Sequence, residues 1–335
     1  MKIRGLFALI ALALALTLAL TLPSLEARAQ NAKLHRIGFL STSDYAPASP
    51  LGRFADGIIR RLGQLGYTLG TNLAVEQRGA EMHLERLPRL VAELVASKLD
   101  VIVTSTYPAA AAAKVGTSTI PIVISGAGDP VRTHLVASLA RPGGNVTGIS
   151  DVAAQLAPKR LQMLKEAVPS LHRVAVLYNA GDLGMTRRYE ASAEVAKMLG
   201  VTVQSLGVRA PDDFEDAFAA MNREMPDGLL MVSDALTRLN RQRVYDYAAA
   251  HRLPAIYEAD SYARDGGLMS YGPDGAESEE RVASLVDRLF KGANPADLPV
   301  EQPTRFRLVI NLKTAKALGI TFPQTLLATA DHVIE

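Results

Sequence analysis

One series of elements is written twice along this chain, and that repetition restricts its fold more than any other feature. His35-Arg36-Ile37-Gly38-Phe39-Leu40 and His172-Arg173-Val174-Ala175-Val176-Leu177 both read as strands opened by His-Arg. Their unbroken apolar runs suit parallel strands covered on both faces. Leu51, Phe54, Ile58, Leu62 and Leu65 then recur at helical spacing up to Gly66, as do Ser192, Val195, Ala196 and Leu199 up to Gly200. Strands at Leu73 to Glu76 and Val201 to Ser205 come next. A second amphipathic helix follows in each half, carrying Leu84, Leu87, Val91, Leu94 and Val95 or Phe214, Phe218, Met221 and Met225. Asp100-Val101-Ile102-Val103-Thr104-Ser105 and Asp227-Gly228-Leu229-Leu230-Met231-Val232-Ser233 are strands entered from Asp and left through a hydroxyl residue. A third helix leads to Pro121-Ile122-Val123-Ile124-Ser125 and Pro254-Ala255-Ile256-Tyr257-Glu258, and the last strands are Asn145 to Ser150 and Leu268 to Tyr271.

Alternation of strand and helix at these spacings means parallel sheets with right-handed crossovers. Repetition of the whole series, offset by roughly 135 residues, means two similar doubly wound α/β lobes. A single sheet of ten strands is the alternative, set aside because twisted open sheets rarely grow so large. After the second series Glu277 to Lys291 reads as an amphipathic helix, Phe306 to Asn311 as a strand and Leu312 to Leu318 as a short helix. Such a tail can cross back and stitch the lobes together, so residues 30–150 plus about 274–303 are expected in one lobe and 151–273 plus about 304–335 in the other.

The first thirty residues belong to neither series. Lys2 and Arg4 precede an almost unbroken apolar run from Leu6 to Leu22, Pro23 ends it, and Ala27-Arg28-Ala29 follows. These are the parts of a secretory signal peptide over residues 1–29, with cleavage expected after Ala29. An uncleaved anchor is the alternative, because the run approaches membrane length. The expected destination is the periplasm, as a soluble protein. Cys is absent from all 335 residues, so there is no thiol to carry a lipid, a disulfide or a metal.

Charge confirms that the leader should be set apart. The formal net charge of the chain is +2, but the leader holds Lys2, Arg4 and Arg28 against Glu26, which leaves 33 basic and 33 acidic residues in the remainder. A balanced chain lacks the basic excess of a nucleic-acid binder.

Open α/β sheets bind ligands outside the carboxyl ends of their strands. That rule selects Ser41, Thr42, Thr104, Ser105, Thr106, Ser125 and Asp129 in the first half, and Tyr178, Asn179, Ser233, Asp234, Tyr257, Glu258 and Tyr271 in the second. Hydroxyls and helix N-terminal amides suit a carboxylate. Asp129, Asp234 and Glu258 are candidate ammonium partners, and Tyr178, Tyr257 and Tyr271 are candidate pocket walls. Each also has a plainer role: Thr104-Ser105-Thr106 before Pro108 fits a helix cap, Asp129 before Pro130 fits a turn, and Tyr257 and Tyr271 fit half-buried core positions.

Enzyme signatures are missing. Ser41-Thr42-Ser43-Asp44-Tyr45 stands where a dinucleotide-binding glycine loop would follow the first strand, and neither a phosphate loop nor a G-x-S-x-G elbow occurs. No histidine falls at a strand carboxyl end, and His35 and His172 open strands at the opposite side. Glu81-x-His83 is too sparse for a metal site. Arg60-Arg61 and Arg187-Arg188 read as solvated helix faces. No catalytic residue, metal or cofactor is expected.

Several stretches resemble a known family, the ABC transporter substrate-binding proteins of the tryptophan/tyrosine-binding type. They are Arg36-Ile37-Gly38-Phe39-Leu40-Ser41-Thr42, Leu87-Pro88-Arg89-Leu90-Val91-Ala92-Glu93-Leu94-Val95, Ser118-Thr119-Ile120-Pro121-Ile122-Val123 and Gly266-Gly267-Leu268-Met269-Ser270-Tyr271-Gly272. The run from Leu135 to Gly148, containing Ser138-Leu139-Ala140-Arg141-Pro142-Gly143-Gly144-Asn145-Val146-Thr147-Gly148, and the closing Asn311 to Gly319 also fit. The resemblance implies a type I periplasmic-binding-protein fold, with three interlobe crossings and hinge closure over a small-molecule ligand. It implies delivery to a membrane permease driven by a cytoplasmic ATPase, and ligand engagement by serines and threonines after the first and fourth strands of the first lobe. Asp44-Tyr45 and Tyr107 stand where many relatives carry small residues. The expectation is a monomeric receptor for a small carboxylate-bearing solute such as an amino acid. A ligand-sensing receptor and an exported α/β hydrolase are the rival readings.

Overall fold

This computed structural model describes residues 33–46, 49–150 and 152–335, so the leader and its cleavage site lie outside the described residues. The first half forms one five-stranded sheet of β1 (His35–Ser41), β2 (Leu73–Gly79), β3 (Val101–Thr104), β4 (Ile122–Ser125) and β5 (Val146–Ile149). Its order is β2-β1-β3-β4-β5, and every pairing is parallel. α1 (Pro50–Gln64), α2 (Leu87–Ala96) and α3 (Tyr107–Gly116) cover its faces. α1 begins where Ser49 accepts a bond from the Gly52 amide and Pro50 needs no donor of its own. Along β1 the side chains alternate between faces, so Ile37 and Phe39 join one core cluster and Leu40 the other.

The second half repeats this plan. β6 (Arg173–Asn179), β7 (Thr202–Val208), β8 (Gly228–Met231), β9 (Ala255–Tyr257) and β10 (Met269–Pro273) run in the order β7-β6-β8-β9-β10, the counterpart of the first sheet strand for strand. The repeat therefore makes two doubly wound lobes and not one ten-stranded sheet. Around it lie α4 (Ala153–Ala167), α5 (Leu183–Met198), α6 (Asp213–Arg223), α7 (Ala235–Leu239), α8 (Arg241–Ala250) and α9 (Asp260–Arg264).

α10 (Gly275–Phe290) returns to the first sheet. Its Val282, Leu285, Val286 and Leu289 pack with Ala55, Ile58 and Leu62 of α1 over Ile37, Phe39 and Val101. β11 (Phe306–Asn311), α11 (Leu312–Leu318), α12 (Gln324–Ala328) and β12 (His332–Ile334) rejoin the second sheet. β10 and β11 pair antiparallel, the one such pairing among the described strands, because α10 and the return of the chain bring β11 in from the opposite end. β12 was not apparent in the sequence, since three residues, one exposed and two half-buried, give too short a pattern to read.

The backbone passes between the lobes three times: after β5, between β10 and α10, and before β11. The crossings run side by side. The Ser150 amide donates to the Glu301 carbonyl (2.9 Å), the Glu301 amide to the Gly148 carbonyl (2.8 Å), and the Asp274 amide to the Arg305 carbonyl (3.0 Å). The Glu277 carboxylate gathers the crossings further, accepting from the Thr304 hydroxyl, the Arg305 amide and the Arg281 guanidinium. Against the upward push of burial, these bonds hold its carboxyl down at about 2.

Candidate functional site

The cleft between the lobes holds a cavity of roughly 310 Å³ at the carboxyl ends of the strands, where open α/β sheets place ligands. The first lobe contributes Ser43, Asp44, Ser105, Thr106, Ser125 and Gly126 to its wall. The second contributes Arg160, Asp182, Arg188, Ser233, Asp234 and Glu258. The lobes meet here. The Arg188 Nη2 lies 3.4 Å from the Gly126 carbonyl, and Met82, in the loop after β2, packs against the core of the second lobe. Gly184 approaches the other lobe so closely that a Cβ there would lie 3.3 Å from Tyr107 Cβ and 3.4 Å from the Ala127 carbonyl oxygen.

Six of the fourteen residues singled out from the sequence line this cavity: Ser105, Thr106, Ser125, Ser233, Asp234 and Glu258. Thr106 is the N-cap residue of α3, yet its side chain makes no capping bond. The buried hydroxyls of Thr106 and Ser233 have no hydrogen-bond partner among the described residues. An unpaired buried hydroxyl is costly, so the plain capping role does not account for Thr106. Asp234 does cap, accepting from the Thr237 amide in a reciprocal capping box and from the Asn179 side-chain amide.

The other eight lie elsewhere. Ser41 and Thr42 are buried, with Ser41 Oγ accepting from the Ser43 amide. Thr104 is fully buried in β3. Asp129 Oδ1 accepts from the Val131 and Arg132 amides and so closes a turn. Asn179 supports Asp234 from behind. The three tyrosines do not form the expected wall. Tyr178 stacks on Tyr189 (4.3 Å between ring centroids), Tyr257 stacks on Tyr262 inside the core, and the Tyr271 ring faces Phe306. Tyr178 and Tyr257 belong to the two apolar clusters of the second lobe and the half-buried Tyr271 packs against one of them, where large rings contribute most of their apolar area. Among the described residues, the aromatic ring that lines the cavity is Phe54, on α1.

The arginines are the main feature missed. Arg160 of α4 is 1% exposed and Arg188 of α5 is 6% exposed, so Arg188 is not part of a solvated face, whereas Arg187 beside it pairs with Glu190 on the partly exposed helix face. Glu258 bridges the two: Arg160 Nη1 donates to Oε1 and Arg188 Nη1 to Oε2, each at 2.9 Å. The Ser233 amide also donates to Oε2, and Arg160 Nε to the Tyr271 carbonyl. Gly272 permits this packing, because a Cβ there would fall 1.8 Å from the Glu258 carbonyl oxygen. Periodicity could not reveal the bridge, since it joins residues 98 and 70 positions apart through one carboxylate.

Asp182 is the other residue that strand ends did not single out, because it stands three residues past β6, at the start of α5. It is 3% exposed, and its Oδ1 accepts from the Gly184 and Met185 amides. Burial, and after it the charge of Asp234, push its carboxyl up to about 7, while those two amides pull it down. Among the described residues no cluster of His, Cys, Asp and Glu is arranged to hold a metal, and no helix is long and apolar enough to cross a membrane.

Two lobes of equal strand order, joined by three crossings that run side by side next to a polar cleft, define a solute receptor with the type I periplasmic-binding-protein fold. The chain belongs to the ABC transporter substrate binding protein family, which it matches over residues 49–334. That family consists of binding proteins, not enzymes. A tyrosine-binding protein of Clostridioides difficile is 26% identical over 270 residues, covering 81% of this chain and 77% of that one. A Streptococcus pneumoniae structure described as an ABC domain in complex with L-Trp superposes with a TM-score of 0.82 at 26% identity, covering 90% of this chain and 100% of the other. A conserved domain protein of Vibrio cholerae superposes with a TM-score of 0.84 at 27% identity and the same coverage.

Proposed function

We propose that this chain is the periplasmic receptor of an ABC importer and carries a small carboxylate-bearing solute, an amino acid by preference, to its permease. Residues 1–29 would direct export and be removed near Ala29. The two lobes, 30–150 plus about 274–303 and 151–273 plus about 304–335, would act as two bodies turning about the three crossings, with the monomer as the working unit.

The observation that carries the reading is the pair of buried, unpartnered hydroxyls, Thr106 and Ser233, set on opposite walls of the cleft. Thr106 opens α3, a ten-residue helix whose first amides point a partial positive charge toward the cavity. A carboxylate there would complete the hydroxyls of Ser105 and Thr106 and be neutralised by the helix start. A volume near 310 Å³ is at the small end of ligand sites and suits an amino acid better than a larger metabolite. Phe54 offers an aromatic face for the ligand's side chain. The tyrosine and L-Trp of the two relatives are accordingly the first solutes to test.

A melting screen of the mature chain against amino acids and small organic acids tests this directly. A solute at 100 times its dissociation constant adds about 2.7 kcal/mol of stability. A selective upward shift for one chemical group of solutes is expected; uniform silence across both panels would refute the reading.

A further inference from the structure

The carboxylates first considered as ammonium partners are all spent within the protein. Glu258 is shared by two arginines, Asp129 closes its turn, and Asp234 holds its capping box and Asn179. Asp182 differs. Both of its hydrogen bonds fall on Oδ1, and among the described residues Oδ2 has no bond. It lines the cavity, and it stands beside the start of α3. The ideal Cβ of Gly184 would lie 3.1 Å from Asp182 Oδ1 and 3.3 Å from Tyr107 Cβ, so the carboxylate of one lobe and the first residue of α3 in the other flank the same glycine, and Asp182 and the unpartnered Thr106 line the same cavity.

We propose that Asp182 is the ammonium-binding residue of this receptor, and that the ligand is a zwitterion whose carboxylate rests on the Thr106 end of α3 while its ammonium rests on Asp182. This inference depends on the receptor reading above and narrows it to amine-bearing solutes. It also supplies a reason for closure. The anion site belongs to the first lobe and the cation site to the second, so a zwitterion is held at both ends only when the two meet.

The surrounding charge favours a cationic group. Asp44, Asp182, Asp234, Glu258 and Asp260 line the cavity against Arg160, Arg188 and Arg238. Asp234, at the start of α7, is the like charge acting on Asp182; Arg188 shares its helix; Arg160, Arg238, Glu258 and Asp260 face the cavity from α4, α7 and the β9–α9 turn, and Asp44 from the first lobe. Among the described residues no histidine lines the cavity. An ammonium needs the ionised carboxylate, so binding must strengthen as pH rises through the Asp182 transition near 7.

The test is calorimetric titration of the full mature chain with L-tyrosine and L-tryptophan at pH 5.5 and 8, beside 3-(4-hydroxyphenyl)propanoate, which keeps the carboxylate and ring but lacks the amine. A single group titrating near 7 predicts about 30-fold tighter amino-acid binding at the higher pH. The deaminated acid should bind more weakly, without that rise. In Asp182→Asn, which retains a good helix cap, the amino acids should lose the pH dependence and fall to the level of the deaminated acid. Equal affinity for amine and deaminated acid in the native protein, or an unchanged pH profile in Asp182→Asn, would overturn the inference and leave the receptor reading standing. Failure of all three probes at both pH values would sink the inference together with the amino-acid reading.

Discussion

Replacing Thr106 by Val should move folding and binding in opposite directions. Thr106 is 8% exposed, and its Oγ1 is buried without a partner among the described residues. Burying an unsatisfied hydroxyl costs about 1–3 kcal/mol. Valine has nearly the same shape, and the backbone at this position is extended (φ −138°, ψ 155°), a conformation that β-branched residues favour. Nothing is lost from the cap, because Thr106 makes no side-chain capping bond. The unliganded variant should therefore be as stable as the native chain or more stable by about 1 kcal/mol. With a carboxylate bound, the hydroxyl would donate a charge-assisted bond contributing about 1.5–3 kcal/mol. Its loss should weaken binding by about 10- to 150-fold.

Urea unfolding of the unliganded protein reads the first quantity and calorimetric titration the second. Thr117→Val, at the other end of α3, is the matched control. Its Oγ1 accepts from the Thr119 and Ile120 amides, so it should cost about 1 kcal/mol of stability and leave affinity unchanged. A Thr106→Val protein that loses more than about 1 kcal/mol of stability, or that binds within threefold of the native chain, would refute the assignment.

Four further outcomes follow from the same geometry. Glu258→Gln removes the carboxylate that bridges two buried guanidiniums and should cost about 3–5 kcal/mol in urea melts, far more than a surface ion pair would. Phe54→Ala should weaken binding of aromatic amino acids while leaving that of alanine unchanged, as calorimetry would show, since Phe54 is the ring on the cavity wall. Asp182 has a raised folded pKa, so the protonated form is favoured in the fold: unliganded stability should decline as pH rises from about 4 to about 7, and Asp182→Asn should flatten that part of the curve. Glu277 has the opposite sign. Its contribution should be full above about pH 4.5 and disappear as pH falls toward 2, a limb of the pH–stability curve that Glu277→Gln should lack.

The strand plan was legible because it rests on local patterns. The His-Arg openings at His35 and His172, the Asp entries at Asp100 and Asp227 and the glycine stops at Gly66 and Gly200 all fall at the edges of the observed elements. Half of the lining hydroxyl positions were legible for the same reason: Ser105, Thr106, Ser125 and Ser233 end a strand or stand within two residues of its end. What local pattern cannot show is where a side chain turns once packed. Tyr257 went into the core because Tyr262 and Tyr245 supply rings around it. Arg160 and Arg188 went into the cleft because Glu258 offsets their desolvation, a condition visible only when three distant segments are assembled. α4 carries Pro158 in its first turns and an uneven apolar face, which hid it from periodicity. A useful signal was overlooked at Asp182, where an acidic N-cap residue begins a helix soon after a strand end, the position from which helices face ligands.

Binding of a solute should close the two lobes on each other. Because the chain contains no Cys, cysteines introduced at Arg132 and Asp212 would be unique labelling sites. Both are exposed, one in the segment after β4 in the first lobe and one in the segment after β7 in the second, so the pair reports on the distance between the lobes. Pulsed electron resonance between spin labels at these positions should show a distance distribution that narrows and shifts to shorter values on saturation with L-tryptophan, or with whichever solute the melting screen identifies. Calorimetrically confirmed binding that leaves the distribution unchanged would contradict the account.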